Sequence, residues 1–379
     1  MSDDRIPAAL AAAEHPLVLD EPAAFSRAAK AWARSPVLGM DTEFVRERTY
    51  HANLGLVQVS DGQTVWLLDP LTRGAAETIA RLLRDERITK LLHSPSEDLE
   101  VLRHAFGCLP EPLVDTQLAC ALLGQPLQLG YHKAVEWLLA VQVDKDLTRS
   151  NWCARPLSEA QLRYAALDVC LLPEMWRRLE PELQQLGRLD WLAEDSRRQA
   201  RRALEPSPPE DAWQRIRGAG RLDGTSLAIL QRLAGWRERV AQERNRPRGF
   251  IIPDAALLQI ARLKATEPDR LESIEGLHRR ARERHGKALL GMVRQSLESG
   301  ARVAPLPSLA PAQRRTLAAL RSVVEREARA LGVEPAVLAS RRELETLVHS
   351  GGDEIPERLS GWRLPVVTRR LLQELGVTG

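Results

Sequence analysis

The chain reads as an α/β fold, a mixed sheet covered by helices, followed by an all-α half. Three observations predict this. Apolar strand-like runs are confined to the first 115 residues. They open as a meander and then alternate with helical stretches. Beyond Asp115 the apolar spacing is helical to the end. A sheet with alternating helices needs those helices on its faces to bury them.

Taken in order, residues 16–19 form a short strand, and Asp20 looks like an N-cap, with Glu21 and Pro22 opening a helix to about Arg34. Strand signals follow at 37–44, 54–60 and 64–68, the last two separated by the hairpin-turn dipeptide Asp61-Gly62. A helix at 75–84 leads into the apolar strand 89–93. Ser96 can cap a helix to about Phe106, and 113–115 is a further short strand. The stretch Glu205-Pro-Ser-Pro-Pro-Glu-Asp211 carries three prolines in seven residues and reads as a linker; 300–308 is a second break. The expected domains are therefore 1–205, 209–292 and 305–379, the last two small helical bundles with a shared rhythm.

Charge divides along the same line. Residues 1–200 hold 22 Lys/Arg against 29 Asp/Glu, a net of −7; the remaining 32 and 22 give residues 201–379 a net of +10. An acidic half joined to an arginine-rich half suits a cation-dependent core beside a surface that meets polyanions. Four cysteines show no C-x-x-C pair and no zinc spacing, so they read as reduced thiols, and no apolar run reaches eighteen residues. These features predict a cytoplasmic protein with no membrane contact. Gly218-Ala-Gly220 follows no strand and lacks a third glycine, and no G-x-x-x-x-G-K-[ST] occurs, so no nucleotide cofactor is expected.

The chemistry lies in three short acidic motifs: Asp41-Thr-Glu43, Ser96-Glu97-Asp98 and Tyr164-Ala-Ala-Leu-Asp168. Residues i and i+2 of a strand share a face, as do i and i+4 of a helix. Each spacing is commonplace alone. Together they give each of three elements a face that can meet a common cleft. Carboxylates about 4 Å apart repel by ~1 kcal/mol in water and ~4 kcal/mol at the effective dielectric of a protein surface. Two divalent cations ~3.5–4 Å apart would relieve that repulsion and could stabilise both oxygens of an in-line phosphoryl displacement.

With Asp41-Thr-Glu-Phe-Val-Arg46, His93-Ser-Pro-Ser-Glu-Asp-Leu-Glu-Val101, Leu113-Val-Asp-Thr-Gln117 and Tyr164-Ala-Ala-Leu-Asp-Val169, the first half resembles the ribonuclease D family. These are three-acidic-motif 3′→5′ exonucleases of the tyrosine subgroup, with a ribonuclease-H-like sheet. The likeness extends through 147–157. Residues 230–239 and 250–261 resemble an HRDC domain, and 305–379 looks like a second, divergent copy. Pro95 and Leu167 depart from residues common in relatives, but neither is a proposed ligand.

The resemblance implies that Asp41, Glu43, Asp98 and Asp168 ligate two divalent ions, Mg²⁺ or Mn²⁺. It also implies that Tyr164 hydrogen-bonds the attacking water. Neighbours at a helix start point about 100° apart, so only one of Glu97 and Asp98 can face the site, and the family pattern selects Asp98. Arg46, Arg48, Tyr50 and His93 are candidate substrate contacts, His51 flanks the first motif, and Asp115 is read as a support. The implied activity is removal of nucleoside 5′-monophosphates from RNA 3′ ends, with tRNA precursors bearing 3′ extensions as partners. A DNA 3′→5′ exonuclease and an inactive nucleic-acid scaffold are the rival readings. The charge split adds an expectation: removing 206–379 should weaken binding yet spare hydrolysis of short strands.

Overall fold

The computed structural model of the chain describes residues 4–143, 150–205, 207–304 and 309–377. Part of the 147–157 likeness, part of the 205–211 linker and part of the 300–308 break lie outside them. Six strands form one sheet: β1 (Leu17–Leu19), β2 (Val37–Val45), β3 (Asn53–Ser60), β4 (Val65–Leu68), β5 (Thr89–Leu92) and β6 (Leu113–Asp115), in the spatial order β1-β4-β3-β2-β5-β6. β3 and β4 are antiparallel, with Ser60 opposite Val65 and a four-residue loop between them. Asp61 holds that loop by accepting from the backbone N–H of Gln63 and Thr64, both at 2.8 Å, while Gly62 takes φ +86°. β1 pairs with β4, β2 with β5 and β5 with β6, all parallel.

Helices α1 (Arg5–Glu14), α2 (Pro22–Trp32), α3 (Ala75–Arg84), α4 (Ser96–Phe106), α5 (Thr116–Leu122), α6 (Tyr131–Leu139), α7 (Glu159–Cys170), α8 (Leu172–Gln185) and α9 (Leu189–Leu204) accompany the sheet. Strand alternation sorts the core. Leu38, Met40, Val57, Val59, Trp66, Leu68 and Leu92 pack with Phe25, Trp32, Ile79, Leu83 and Leu102 on one face. Leu56, Val65, Leu67 and Leu91 pack with Ala165, Val169, Leu172 and Met175 on the other. Residues 39, 41 and 43 of β2 therefore belong to the second face, where α7 and α8 cross.

Three local expectations change. Glu21 and Pro95, not Asp20 and Ser96, are the residues before α2 and α4, and no side chain caps either helix. The sequence reading gave no helix before residue 16, yet α1 is present. Its buried Ala9 and Ala13, one turn apart, lie in the core shared with α7, and Glu14 pairs with Arg163 of α7 at 2.8 Å.

The molecule divides into two compact units. One joins Met1–Val45, Leu54–Leu204 and Leu309–Gly379; the other joins Arg46–Asn53 and Glu205–Ser308. The second unit contains α10 (Gly224–Glu243), α11 (Arg248–Ile251), α12 (Asp254–Leu263), α13 (Pro268–Glu272) and α14 (Arg279–Glu298) around Leu227, Leu230, Leu233, Ile260 and Leu289. The remaining helices, α15 (Pro311–Leu331), α16 (Pro335–Leu338), α17 (Arg341–Ser350) and α18 (Arg369–Glu374), belong to the first unit. There Trp362 stacks on Trp191 with ring centroids 4.3 Å apart, and buried Arg363 grips Asp195 through two 2.7 Å hydrogen bonds. Gly361, at φ +63°, makes room for Glu194, whose carboxylate accepts from the Trp362 N–H at 2.9 Å.

Candidate active site

Asp41 and Glu43 stand on the α7-facing side of β2, near its C-terminal end. Gly39, two residues earlier, permits this approach. A Cβ built there would sit 2.8 Å from Leu172 Cβ and 2.9 Å from the Val169 carbonyl oxygen. Ordinary carbon contacts are about 3.5–4.0 Å, so only glycine lets the α7–α8 corner lie against the strand. Val169 adjoins Asp168, and the same contact brings the third motif to the first.

Asp98 reaches the cluster from the first turn of α4 and is buried, whereas Glu97 beside it is exposed. Thr42 Oγ1 donates to Asp98 Oδ1 at 2.5 Å. Asp115 shapes the turn that launches α4. Its Oδ1 accepts from the backbone N–H of Ser94 at 3.0 Å and Gln117 at 2.8 Å, and its Oδ2 accepts from Gln199 Nε2 at 3.2 Å. Those bonds offset the burial that raises its carboxyl pKa. Its position agrees with the reading of a support.

On α7, the capping box of Ser158 and Gln161 fixes the first turn, and Tyr131 Oη donates to the Leu167 carbonyl at 2.9 Å near the last. Tyr164 and Asp168 lie one turn apart on one face of α7, near enough for each to shift the other's pKa. Trp152 packs 6.0 Å from the Tyr164 ring, centroid to centroid.

The electrostatics mark these carboxylates as one group. Burial first, then the charges of Asp98, Asp168 and Glu43, hold the Asp41 pKa well above the usual carboxylate range. Burial, Asp168 and Asp98 push Glu43 up to about 8. Burial raises Asp168 to about 7 against the hydrogen bond from Tyr164, and burial raises Asp98 despite Thr42. Burial and the neighbouring carboxylates raise the Tyr164 phenol, which stays protonated and able to donate. Among the described residues, no three acidic, His or Cys side chains stand in ready ligand geometry. Four hard oxygen donors raised by burial and by one another's charge suit a hard divalent cation.

Both His93 nitrogens are engaged, Nδ1 2.9 Å from Thr116 Oγ1 and Nε2 2.8 Å from the Leu129 carbonyl, and burial lowers its pKa to about 4. Tyr50 belongs to the helical unit. Its hydroxyl donates to Glu238 Oε1 at 2.5 Å and accepts from Gln242 Nε2 at 3.1 Å and Arg248 Nη2 at 3.0 Å. Arg46 and Arg48 are exposed. Sequence reasoning missed Gly39, Thr42 and Tyr131. Of these only Gly39 carried a signal, since glycine inside a strand marks a close approach.

A 3′-5′ exonuclease family model matches residues 17–184, and the HRDC domain model matches residues 226–293. Ribonuclease D of Pseudomonas paraeruginosa is 38% identical over 363 residues, covering 93% of this chain and 96% of that protein. The chain belongs to the ribonuclease D family. Ribonuclease D of Escherichia coli K12 is also 38% identical, over 89% of this chain and 93% of its own. The crystal structure of E. coli RNase D, described as an exoribonuclease involved in structured RNA processing, superposes with a TM-score of 0.88 at 35% identity. That match covers 96% of this chain and 99% of that one. The protein is a 3′→5′ exoribonuclease, and its family depends on divalent metal. None of its described helices is long and apolar enough to cross a membrane.

Proposed function

We propose that this exoribonuclease trims the 3′ ends of tRNA precursors and other small structured RNAs, releasing nucleoside 5′-monophosphates one at a time. Asp41, Glu43, Asp98 and Asp168 would hold two divalent ions, Mg²⁺ or Mn²⁺. The observation that supports this is geometric: Thr42, between Asp41 and Glu43, donates to Asp98 at 2.5 Å, and Gly39 of the same strand lies against Val169, the neighbour of Asp168. When bound, such ions lower the pKa of water and stabilise the attacking and leaving oxygens of a displacement at phosphorus.

The chain's own residues supply orientation. The Tyr164 hydroxyl, a donor at neutral pH, would hydrogen-bond the water that attacks the scissile phosphate. Glu43 would accept a hydrogen bond from the terminal sugar hydroxyl through its carboxylate. Thr42 fixes the Asp98 rotamer, so that carboxylate need not reorganise when substrate arrives. Arg46 and Arg48, exposed in the segment that follows β2 in sequence, are candidate phosphate contacts. The free thiols of Cys108, Cys120, Cys153 and Cys170 suit the reducing cytoplasm.

Time-resolved digestion of a tRNA with a 3′ extension, in Mg²⁺ or Mn²⁺, tests the reading. Stepwise loss of single nucleotides that slows at the mature end is expected. Faster attack on a matched DNA strand would overturn the substrate assignment. Digestion of short single strands alone would overturn the structured-RNA assignment.

A further inference from the structure

The chain just before α7 is fastened to the end of the sheet by one side chain, Arg155. Its Nε and Nη2 donate to the two Asp69 carboxylate oxygens at 2.6 and 2.9 Å. Nη2 also donates to the Gly55 carbonyl at 2.7 Å, and Nη1 to the carbonyls of Trp152 at 2.9 Å and Ala154 at 2.7 Å. Every guanidinium N–H is thereby committed. Asp69 is held in turn, because its Oδ1 accepts from the Leu71 N–H at 2.9 Å. Val57 pairs with Leu68, so Gly55 and Asp69 lie just past the paired stretch of β3 and β4.

Gly55 completes the seat. A Cβ built there would stand 2.5 Å from the Trp152 carbonyl oxygen and 2.7 Å from Trp152 Cβ, so only glycine lets residue 152 lie on the strand. Trp152 is 3% exposed, and its ring packs beside that of Tyr164 with the planes at 36°. Gln161 Nε2 donates to Ser150 Oγ at 2.8 Å, which ties the same segment to the first turn of α7. A phenol on a helix can turn between staggered χ1 wells; an indole anchored beside the ring favours one of them. Arg155 has no N–H left for a phosphate, which argues against a direct contact with RNA.

We propose that Arg155 is a positioning residue for hydrolysis, setting the place of the Tyr164 hydroxyl through Trp152. The proposal rests on the reading above in which Tyr164 orients the attacking water, and names what orients Tyr164.

The test is a double-mutant cycle on the full chain. Its readouts are single-turnover hydrolysis of a labelled oligoribonucleotide in Mn²⁺, the Kd for that strand in EDTA, and the melting temperature. Tyr164→Phe removes the hydroxyl and should slow hydrolysis at least about a hundredfold. Arg155→Met should slow it about tenfold or more in the wild-type background, with Kd changed by less than about twofold. In the Tyr164→Phe background the same change should slow hydrolysis by less than about twofold, because a displaced ring without its hydroxyl orients no water in either case. Trp152→Leu should fall with Arg155→Met, and Trp152→Phe, which keeps a ring beside Tyr164, should recover most of that loss. The same factor lost from Arg155→Met in both backgrounds would mean a general loosening of structure and overturn the proposal. So would hydrolysis within about twofold of wild type by Arg155→Met or Trp152→Leu, or a loss confined to Kd. Should Arg155→Met unfold, Arg155→Lys, which keeps the charge and loses the fork, goes through the same cycle under the same criteria. Tyr164→Phe at the wild-type rate would remove the role given to Tyr164 and the proposal with it; a slow Tyr164→Phe with additive losses would remove the proposal alone.

Discussion

Gly39→Ala places one methyl group at the point where β2 meets the α7–α8 corner. The new Cβ would stand 2.8 Å from Leu172 Cβ and 2.9 Å from the Val169 carbonyl oxygen. Restoring a contact of about 3.5–4.0 Å requires the corner or the strand to shift by roughly 0.7–1 Å. Overpacking of this size costs about 1–3 kcal/mol of stability. Asp168 adjoins Val169 and must move with it relative to Asp41, and a misplacement near 1 Å can lower turnover about a hundredfold. The assay is single-turnover hydrolysis of a 3′-labelled oligoribonucleotide, with thermal melting alongside. Gly39→Val should be worse than Gly39→Ala in both. Gly291→Ala serves as control, because that α14 glycine has no atom within 4 Å of a built Cβ and should gain about 0.5–1 kcal/mol. If Gly39→Ala melts within about 0.5 kcal/mol of wild type and hydrolyses within twofold, the argument that glycine brings the motifs together is refuted.

Other predictions address the charges and the packing. Asp98→Asn should reduce hydrolysis at least about a hundredfold while exposed Glu97→Gln stays within about threefold, measured under the same single-turnover conditions; similar losses would reverse the assignment of the second motif. In chelator, the raised carboxyls bind protons more tightly in the folded state than in the unfolded one. Their contribution to stability is full below the unfolded value near 4 and is lost as pH rises through about 7 for Asp168 and about 8 for Glu43. Melting temperature should thus fall between pH 5 and 8, and Mn²⁺ should reverse the fall in the wild type but not in Asp41→Asn. A pH-independent chelated protein would contradict this. Arg363→Leu removes two hydrogen bonds from the Asp195 carboxylate, 10% exposed, but leaves it paired with Arg198 at 2.8 Å, and should cost about 1.5–3 kcal/mol in denaturant titration. A loss below about 0.5 kcal/mol would show that Arg198 alone satisfies Asp195.

Much of the site was legible because it obeys local periodicity. The i, i+2 spacing of Asp41 and Glu43 and the i, i+4 spacing of Tyr164 and Asp168 need only the strand and helix repeats. The 100° step between Glu97 and Asp98 leaves one exposed and the other buried. What escaped depends on distant partners. Gly39 gains its meaning from residues 169 and 172, and Tyr50 from residues 238, 242 and 248, so neither has a local signature beyond its own identity. Helix α1 was missed because its buried side is two alanines, a weak apolar signal that matters only against α7. The caps at Asp20 and Ser96 failed by one residue, the scale on which helix ends vary. The truncation expectation also changes. Cutting after residue 205 would remove Trp362 and Arg363 from Trp191 and Asp195, so loss of hydrolysis in that fragment would reflect an exposed α9 as much as lost RNA contacts.

The loop Arg46–Asn53 joins two neighbouring strands of the sheet, yet its anchors are synthesised far later. The backbone N–H groups of Tyr50 and His51 both donate at 3.0 Å to Asn245 Oδ1, across 195 and 194 residues of chain. A ribosome must therefore finish most of the polypeptide before that loop can settle, even though the strands on either side can pair early. Newly made enzyme would pass through a stage with its sheet assembled and the segment beyond Val45 undocked, a built-in delay between pairing of the strands and settling of the chain that joins them.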